Sequence, residues 1–271
     1  MAVSRAVGHG GSWDRWWALQ FRRFDDTHGF PGEGPDAERL VFGSANVTHW
    51  SSFLKAEMWQ GDGSAAFAAW MLQETKLAQH KPRRKASGIA DIKGWGFVDD
   101  PAVCTERDGT SSGAAVLWDR TFASSSGLCK RSGCGRWCRT VVEVGGIEWH
   151  LMSFYGVTGD ASRTAELLCR AISSLPNGAL WVIGGDFNVS PAVCRGMVAG
   201  SPAVVISPSG DTCFPSVGAP SVLDFFLVSP AAERLIDGCW AIKGAGIKTH
   251  RPVALAAVSY THLTLPTKRI V

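Results

Sequence analysis

Apolar residues fall along this chain in short blocks of five to eight, each closed by turn-forming residues. The clearest are Arg39–Ala45, Phe67–Leu72, Ala114–Trp118, Thr140–Val144, Ile147–Phe154, Ala179–Ile183, Val222–Val228 and Val253–Ala257. They are short for helices and rich in β-branched and aromatic side chains, so the pattern predicts buried strands. Between them, Ser162–Ser174 places Ala165, Leu168, Cys169 and Ile172 at the three-four spacing of an amphipathic helix. Ser51–Gly61 and Leu77–Ile92 are weaker helical stretches. Residues 1–38 lack such a pattern. There GHGG and GFPGEGP flank an aromatic-basic stretch, WDRWWALQFRRF, and the segment reads as a poorly ordered N-terminal extension. Internal repeats are absent, and the class is strand-rich α/β.

Composition changes this picture little. The 271 residues are 45% hydrophobic and 19% charged, enough for one large folded domain and unlike a disordered chain. No apolar run reaches the roughly 18–20 residues of a membrane span. The first residues carry Arg5, Asp14 and Arg15 and no apolar signal region. Eight scattered cysteines without such a signal read as reduced thiols, which points to an intracellular protein. The last residues, VSYTHLTLPTKRIV, resemble the translation of a sequencing adapter, so Val258–Val271 is set aside from the domain at 39–257. Leaving it out removes Lys268 and Arg269 and no acid, which lowers the net charge from +3 to +1. Global charge therefore does not argue for a nucleic-acid partner; a local patch would have to.

The candidate chemistry lies at the ends of the predicted strands. Arg39–Ala45 runs into Asn46, Phe67–Leu72 into Gln73 and Glu74, and Ile147–Phe154 into Tyr155. Ala179–Ile183 delivers Gly-Gly-Asp186-Phe-Asn188, Asp224 lies within SVLDFFLVS, and His250 precedes the last apolar block. One Glu after an apolar run is usually a solvated strand end, and one His before a strand is as often packed as reactive. Carboxylates, amides, a phenol and an imidazole all supplied from strand ends are what an active-site crevice over a sheet requires.

In their order and wording, SANVTHW, LQETK, SFYGVTGD, GGDFNVSP, SVLDFFLVS and THRPVAL resemble the endonuclease/exonuclease/phosphatase (DNase I-like) superfamily. GGDFN is the most specific of them, and the closest wording is that of non-LTR retrotransposon endonuclease domains. The resemblance implies a four-layer αββα sandwich of two packed mixed sheets flanked by helices. It also implies a divalent-metal-dependent phosphodiester hydrolase, a DNA endonuclease using Mg²⁺ or Mn²⁺. Asn46 and Glu74 would hold the metal, Asp186 would orient or activate water, and Asn188 would stabilise the charge developing on phosphorus. Tyr155 would contact the scissile phosphate, and Asp224 would orient His250 toward it. Thr212 and Phe214 fall where such proteins contact substrate. The expected partner is DNA, met by a monomer in the nucleus, with a reverse transcriptase domain lost by truncation. On the same fold, a phosphatase of phosphoinositide or sphingolipid type is the alternative substrate class, and a catalytically silent nucleic-acid-binding remnant the alternative without chemistry.

One position departs from the pattern. An Asp normally precedes the final His, and here Thr249 stands before His250, a neutral oxygen in place of a charge. Two further clusters are weighed. Lys81, Arg83 and Arg84, in HKPRRK, are expected to neutralise substrate phosphates beside the site, although a solvated helix face has the same composition. Cys129, Cys134 and Cys138 with His150 have a spacing unlike that of structural zinc sites, so they are read as hairpin cysteines without metal. Deleting Val258–Val271 is expected to leave the melting temperature nearly unchanged, and a clear drop would show that the tail packs.

Overall fold

The computed structural model describes residues 39–56, 67–104, 109–121, 123–144 and 146–258. The expected N-terminal extension, the end of the helix expected over Ser51–Gly61, and the tail beyond Val258 lie outside these residues. The strands are β1 (Arg39–Asn46), β2 (Phe67–Gln73), β3 (Trp95–Asp100), β4 (Val103–Cys104), β5 (Thr110–Ser111), β6 (Ala114–Asp119), β7 (Ala123–Arg131), β8 (Trp137–Val144), β9 (Ile147–Tyr155), β10 (Leu180–Asp186), β11 (Val204–Ile206), β12 (Asp224–Val228), β13 (Ile236–Ala241) and β14 (Val253–Val258). The helices are α1 (Trp50–Lys55), α2 (His80–Ile92), α3 (Ala161–Ser173), α4 (Pro191–Met197) and α5 (Pro230–Glu233).

Alternation along the strands sorts the side chains into three apolar layers. Leu40 and Phe42 of β1, Leu151 of β9, Val182 of β10, Phe226 of β12 and Leu255 of β14 meet between two six-stranded sheets. The opposite face of the first sheet, ordered β13-β14-β1-β2-β6-β3, packs Val41, Trp70 and Leu117 against Ala86 and Ala90 of α2. The opposite face of the second, ordered β11-β12-β10-β9-β8-β7, packs Phe154, Trp181 and Ile183 against Leu167, Leu168 and Ala171 of α3. The result is a mixed α/β sandwich of two mixed sheets with helices outside, the expected class.

All eight expected blocks are strands, with ends moved by a few residues. The last strand includes Val258, which lies opposite Arg39. The helix expected from Leu77 starts at His80, because Leu77 turns inward and its carbonyl accepts from Ala102 N. Edge strands β3, β7, β11 and β13 escaped the periodicity reading. Seven of nine β7 residues are exposed, polar or glycine apart from Leu128 and Cys129, which leaves no apolar block to find.

The GGD end of β10 shows why sequence and packing must agree at this end of the sandwich. At Gly184 a Cβ would lie 2.9 Å from Ser44 Cβ and 3.0 Å from Met71 Sδ, both on the facing sheet. At Gly185 a Cβ would run into the carbonyl oxygen of Phe154 on the adjacent strand, a backbone atom that cannot swing aside. Gly185→Ala is therefore expected to cost roughly 1–3 kcal/mol by overpacking. Gly88→Ala, in the open interior of α2 where an added Cβ meets nothing, should instead stabilise by about 0.5–1 kcal/mol. Thermal denaturation of both variants checks the opposed signs.

Candidate active site

Strand register delivers the polar residues to one end of the sandwich. Parallel β1 and β2 pair Asn46 with Gln73, which places Glu74 just past the sheet. On the other sheet, Asp186 pairs with Tyr155 of parallel β9 and with Asp224 of antiparallel β12. Face-to-face packing then joins the two sets. Asn46 Nδ2 donates to Asp186 Oδ2 at 2.9 Å and lies 3.3 Å from Glu74 Oε1. Tyr155 Oη donates to the same Glu74 oxygen, and Lys76 Nζ lies 3.0 Å from Oε2. His250 Nδ1 is 2.9 Å from Asp224 Oδ2, with Nε2 turned to Asp186 at 3.8 Å.

Asn188 sits at the edge of this group. Its backbone N–H donates to Asp186 Oδ1 at 3.0 Å and its side chain bridges Thr158 and Gly156. Thr212 lies beneath, its hydroxyl accepting from the N–H groups of Leu223 and Asp224 at 3.0 Å. Phe214 flanks the loop, its N–H donating to Thr249 and its ring covered by the Arg251 guanidinium at 4.0 Å. The structure thus brings together Asn46, Glu74, Tyr155, Asp186, Asn188, Asp224 and His250, with Thr212 and Phe214 adjoining. Lys81, Arg83 and Arg84 stand apart on α2. Arg83 makes a two-pronged pair with Asp99 at 2.7 and 2.8 Å, so its guanidinium holds helix to sheet.

Strained backbone frames the group. The non-glycine residues described with positive φ are Thr48, Glu74, Lys76, Ser112, Asn188 and Thr249, all in loops at this end. Such conformations cost of order 1–3 kcal/mol each and persist where the surroundings fix them. Thr249, β-branched and at φ 71°, is the least expected of them.

The electrostatics show an excess of buried negative charge. Burial, then the charge of Asp224, pushes Asp186 up to about 7, against the opposing effects of His250, Asn46 and the Asn188 N–H. Burial likewise raises Asp224, opposed by its bond to His250. Burial disfavours the charged imidazole of His250, but Asp224, with Asp186 and Glu74, outweighs it and holds the ring up to about 9. Burial would raise Glu74 too; hydrogen bonds from Tyr155, Lys76 and Asn46 reverse this and keep it ionised. Burial and Glu74 keep the Tyr155 phenol protonated.

Three carboxylates thus face two cations, Lys76 and His250. The donor set is made of hard oxygens, with Glu74 the part-exposed carboxylate among them, and it suits a hard divalent ion. In this arrangement Asn46 presents its amide nitrogen to the carboxylates, its oxygen accepting from Thr48 N at 3.0 Å. Asp186, Asp224 and His250 also bring ligand atoms within 4.8 Å of one another, but the Asp224 bond already occupies Nδ1.

Three neighbours escaped the sequence reading. Lys76 stands two residues after Glu74 inside LQETK and could have been found there. Arg136, whose guanidinium lies 4.7 Å over the Tyr155 ring, comes from the β7–β8 turn and had no local signal. The buried Cys213 thiol, 3.8 Å from His250 Nε2, arrives on a loop held by isolated bridges to Ser221 and His250. Cys129 and Cys138 belong to paired strands, and all eight cysteines are unbridged. Among the described residues Asp186, Asp224 and His250 form the one group with metal-ligand spacing.

Solved structures place this architecture. A scan against protein-family models and a search of curated proteins both found no match. The AP endonuclease LMAP from Leishmania major superimposes with a TM-score of 0.63 at 17% identity, covering 86% of this chain and 91% of its own. An endonuclease/exonuclease/phosphatase from Bacteroides vulgatus gives 0.61 at 12% identity over 82% of this chain and 100% of its own. The endonuclease domain of TRAS1, a telomere-specific non-LTR retrotransposon, gives 0.59 at 12% identity over 82% of this chain and 99% of its own. The chain therefore has the DNase I-like fold of the endonuclease/exonuclease/phosphatase proteins. No helix among the described residues is long and apolar enough to cross a membrane.

The His250–Asp224 pair has a measurable consequence for metal-free protein. His250 binds its proton more tightly folded than unfolded, so its stabilisation is complete below about 6.5, its unfolded value. That contribution is lost as pH rises through about 9. The melting temperature in EDTA should fall across this window, and the double variant His250→Gln/Asp224→Asn should show a flatter profile. An equally steep fall in the double variant would place the titration elsewhere.

Proposed function

We propose that this domain is a divalent-metal-dependent phosphodiester hydrolase that nicks DNA, of the kind carried by retrotransposons. The observation that carries the proposal is the linked chain Glu74–Asn46–Asp186–His250–Asp224, assembled from both sheets at one end of the sandwich. Names among the structural neighbours, an AP endonuclease and a retrotransposon endonuclease domain, favour DNA over a phospholipid head group.

Glu74 would be the principal charged holder of Mg²⁺, with Asn46 and Asp186 beside it. The bound ion would neutralise the non-bridging phosphate oxygens and ease departure of the leaving oxygen. Asp186, raised to about 7, is matched to take a proton from an attacking water near neutral pH. His250 stays cationic to about 9 and offers a charged Nε2–H to a phosphate oxygen, held in orientation by Asp224 on Nδ1. Tyr155 remains a donor and fixes the Glu74 rotamer. Asn188 contributes a fixed dipole at the rim beside the Asp186 carboxylate.

Thr249 is where this site is weakest. It is exposed, neutral and strained, next to His250. Thr249→Asp adds the missing charge and places there a residue that tolerates positive φ better. The expectation is a Mg²⁺ midpoint for plasmid nicking lowered about tenfold, the scale on which groups around metal ligands act. Glu74→Gln should reduce nicking by about 10²-fold or more. The decisive measurement is a Mg²⁺ titration of nicking for wild type and both variants, with EDTA and a phosphoinositide head group as parallel arms. Nicking in EDTA, full activity in Glu74→Gln, or turnover of the head group alone would each overturn the proposal.

A further inference from the structure

A second cleft, of about 600 Å³, opens on the flank of the sandwich along edge strand β3. One wall is α2, with His80, Arg83, Arg84 and Asp91. The floor is Trp95, Phe97 and Asp99 of β3, and the far wall is Trp118, Arg120 and Arg131. Both acids are already committed, Asp99 to Arg83 and Asp91 to Arg120. Among the described residues Arg84 and Arg131 have no carboxylate partner, so the cleft keeps a positive excess beside the half-buried rings of Phe97 and Trp118. Arg131 Nε donates to the carbonyl of Asp99, which holds its guanidinium at the edge strand.

A single turn of the chain joins this cleft to the catalytic end. The turn that starts after Arg131 is pinned to Asp100, which accepts from Ser132 Oγ and from the N–H groups of Gly133 and Gly135. The same turn ends at Arg136, over Tyr155 and bonded to the Gly156 carbonyl at 2.8 Å. Guanidinium groups therefore run from Tyr155 down the flank, with aromatic rings set beside them.

We infer that the flank cleft binds single-stranded nucleic acid, its arginines taking phosphates and its rings stacking bases. Unpaired bases are the occupant that the rings select, since a duplex hides its base faces and an acidic peptide has none to stack. The inference rests on the reading of the catalytic crevice as a nuclease site, and extends its substrate to a strand lying beyond the scissile phosphate.

The test is fluorescence anisotropy of a labelled oligothymidylate with the full chain in EDTA, where no cleavage intervenes. Arg84→Glu should weaken binding about tenfold and reduce the salt slope by about one phosphate contact. Phe97→Leu, which keeps apolar bulk and removes the stacking face, should weaken it several-fold with the slope unchanged. Arg170→Glu, an equal charge change at an exposed position of α3, should leave it intact. Polyglutamate should compete poorly. Equal losses from Arg84→Glu and Arg170→Glu, no effect of Phe97→Leu, or strong competition by polyglutamate would overturn the inference. Failure of plasmid nicking with these binding effects intact would instead strike the catalytic reading alone.

Discussion

One buried amide holds the two sheets in register. Gln73 is fully buried at the end of β2, and its Nε2 lies 3.0 Å from Ser153 Oγ, 3.3 Å from Ser44 Oγ and 3.3 Å from the Gly184 carbonyl. Ser153 Oγ in turn donates to the Leu72 carbonyl at 2.7 Å. Apolar packing between sheets is nearly indifferent to sliding, but buried polar groups are not, because each lost partner costs about 1–3 kcal/mol. The seam therefore selects one alignment. That alignment brings Asn46 and Glu74 of one sheet to Tyr155 and Asp186 of the other. Gly184 supports it, since any side chain there would hold the sheets apart.

With the sheets fixed, their loops have little freedom. Glu74, Lys76, Asn188 and Thr249 are all forced to positive φ around the crevice, and the fold carries that strain at its most constrained end. The arrangement also gathers like charges. Asp186 and Asp224 face one another across paired strands; burial raises both, and the charge of Asp224 raises Asp186 further. His250 offsets part of this, and Lys76 and Tyr155 hold Glu74. The remaining negative excess is what a cation or a protonated Asp186 would relieve, so metal affinity, water activation and stability are coupled through the same few atoms.

The flank cleft follows from a different constraint. Edge strands expose unpaired backbone groups that invite misassociation, and charged side chains commonly guard them. Here Arg83 and Arg131 cover β3 from both sides. Guarding an edge with arginines beside aromatic rings also creates a surface with affinity for nucleic acid.

The sequence alone determined the central strands and the polar residues that follow them. Blocks such as Arg39–Ala45 and Ile147–Phe154 are local patterns, and GGDFN and LQETK keep their reactive residues next to the block that positions them. What lay between distant segments was illegible. Arg83 and Asp99 are sixteen positions apart and belong to a helix and an edge strand, so the sequence offered a basic run where the structure has a committed ion pair. Edge strand β7 has no apolar face to announce it, and Arg136 reaches Tyr155 only because the β7–β8 turn is anchored on Asp100. Periodicity reports which side chains a segment must bury; partners, charge balance and clefts depend on which segments meet. Only the packing of the two sheets decided that.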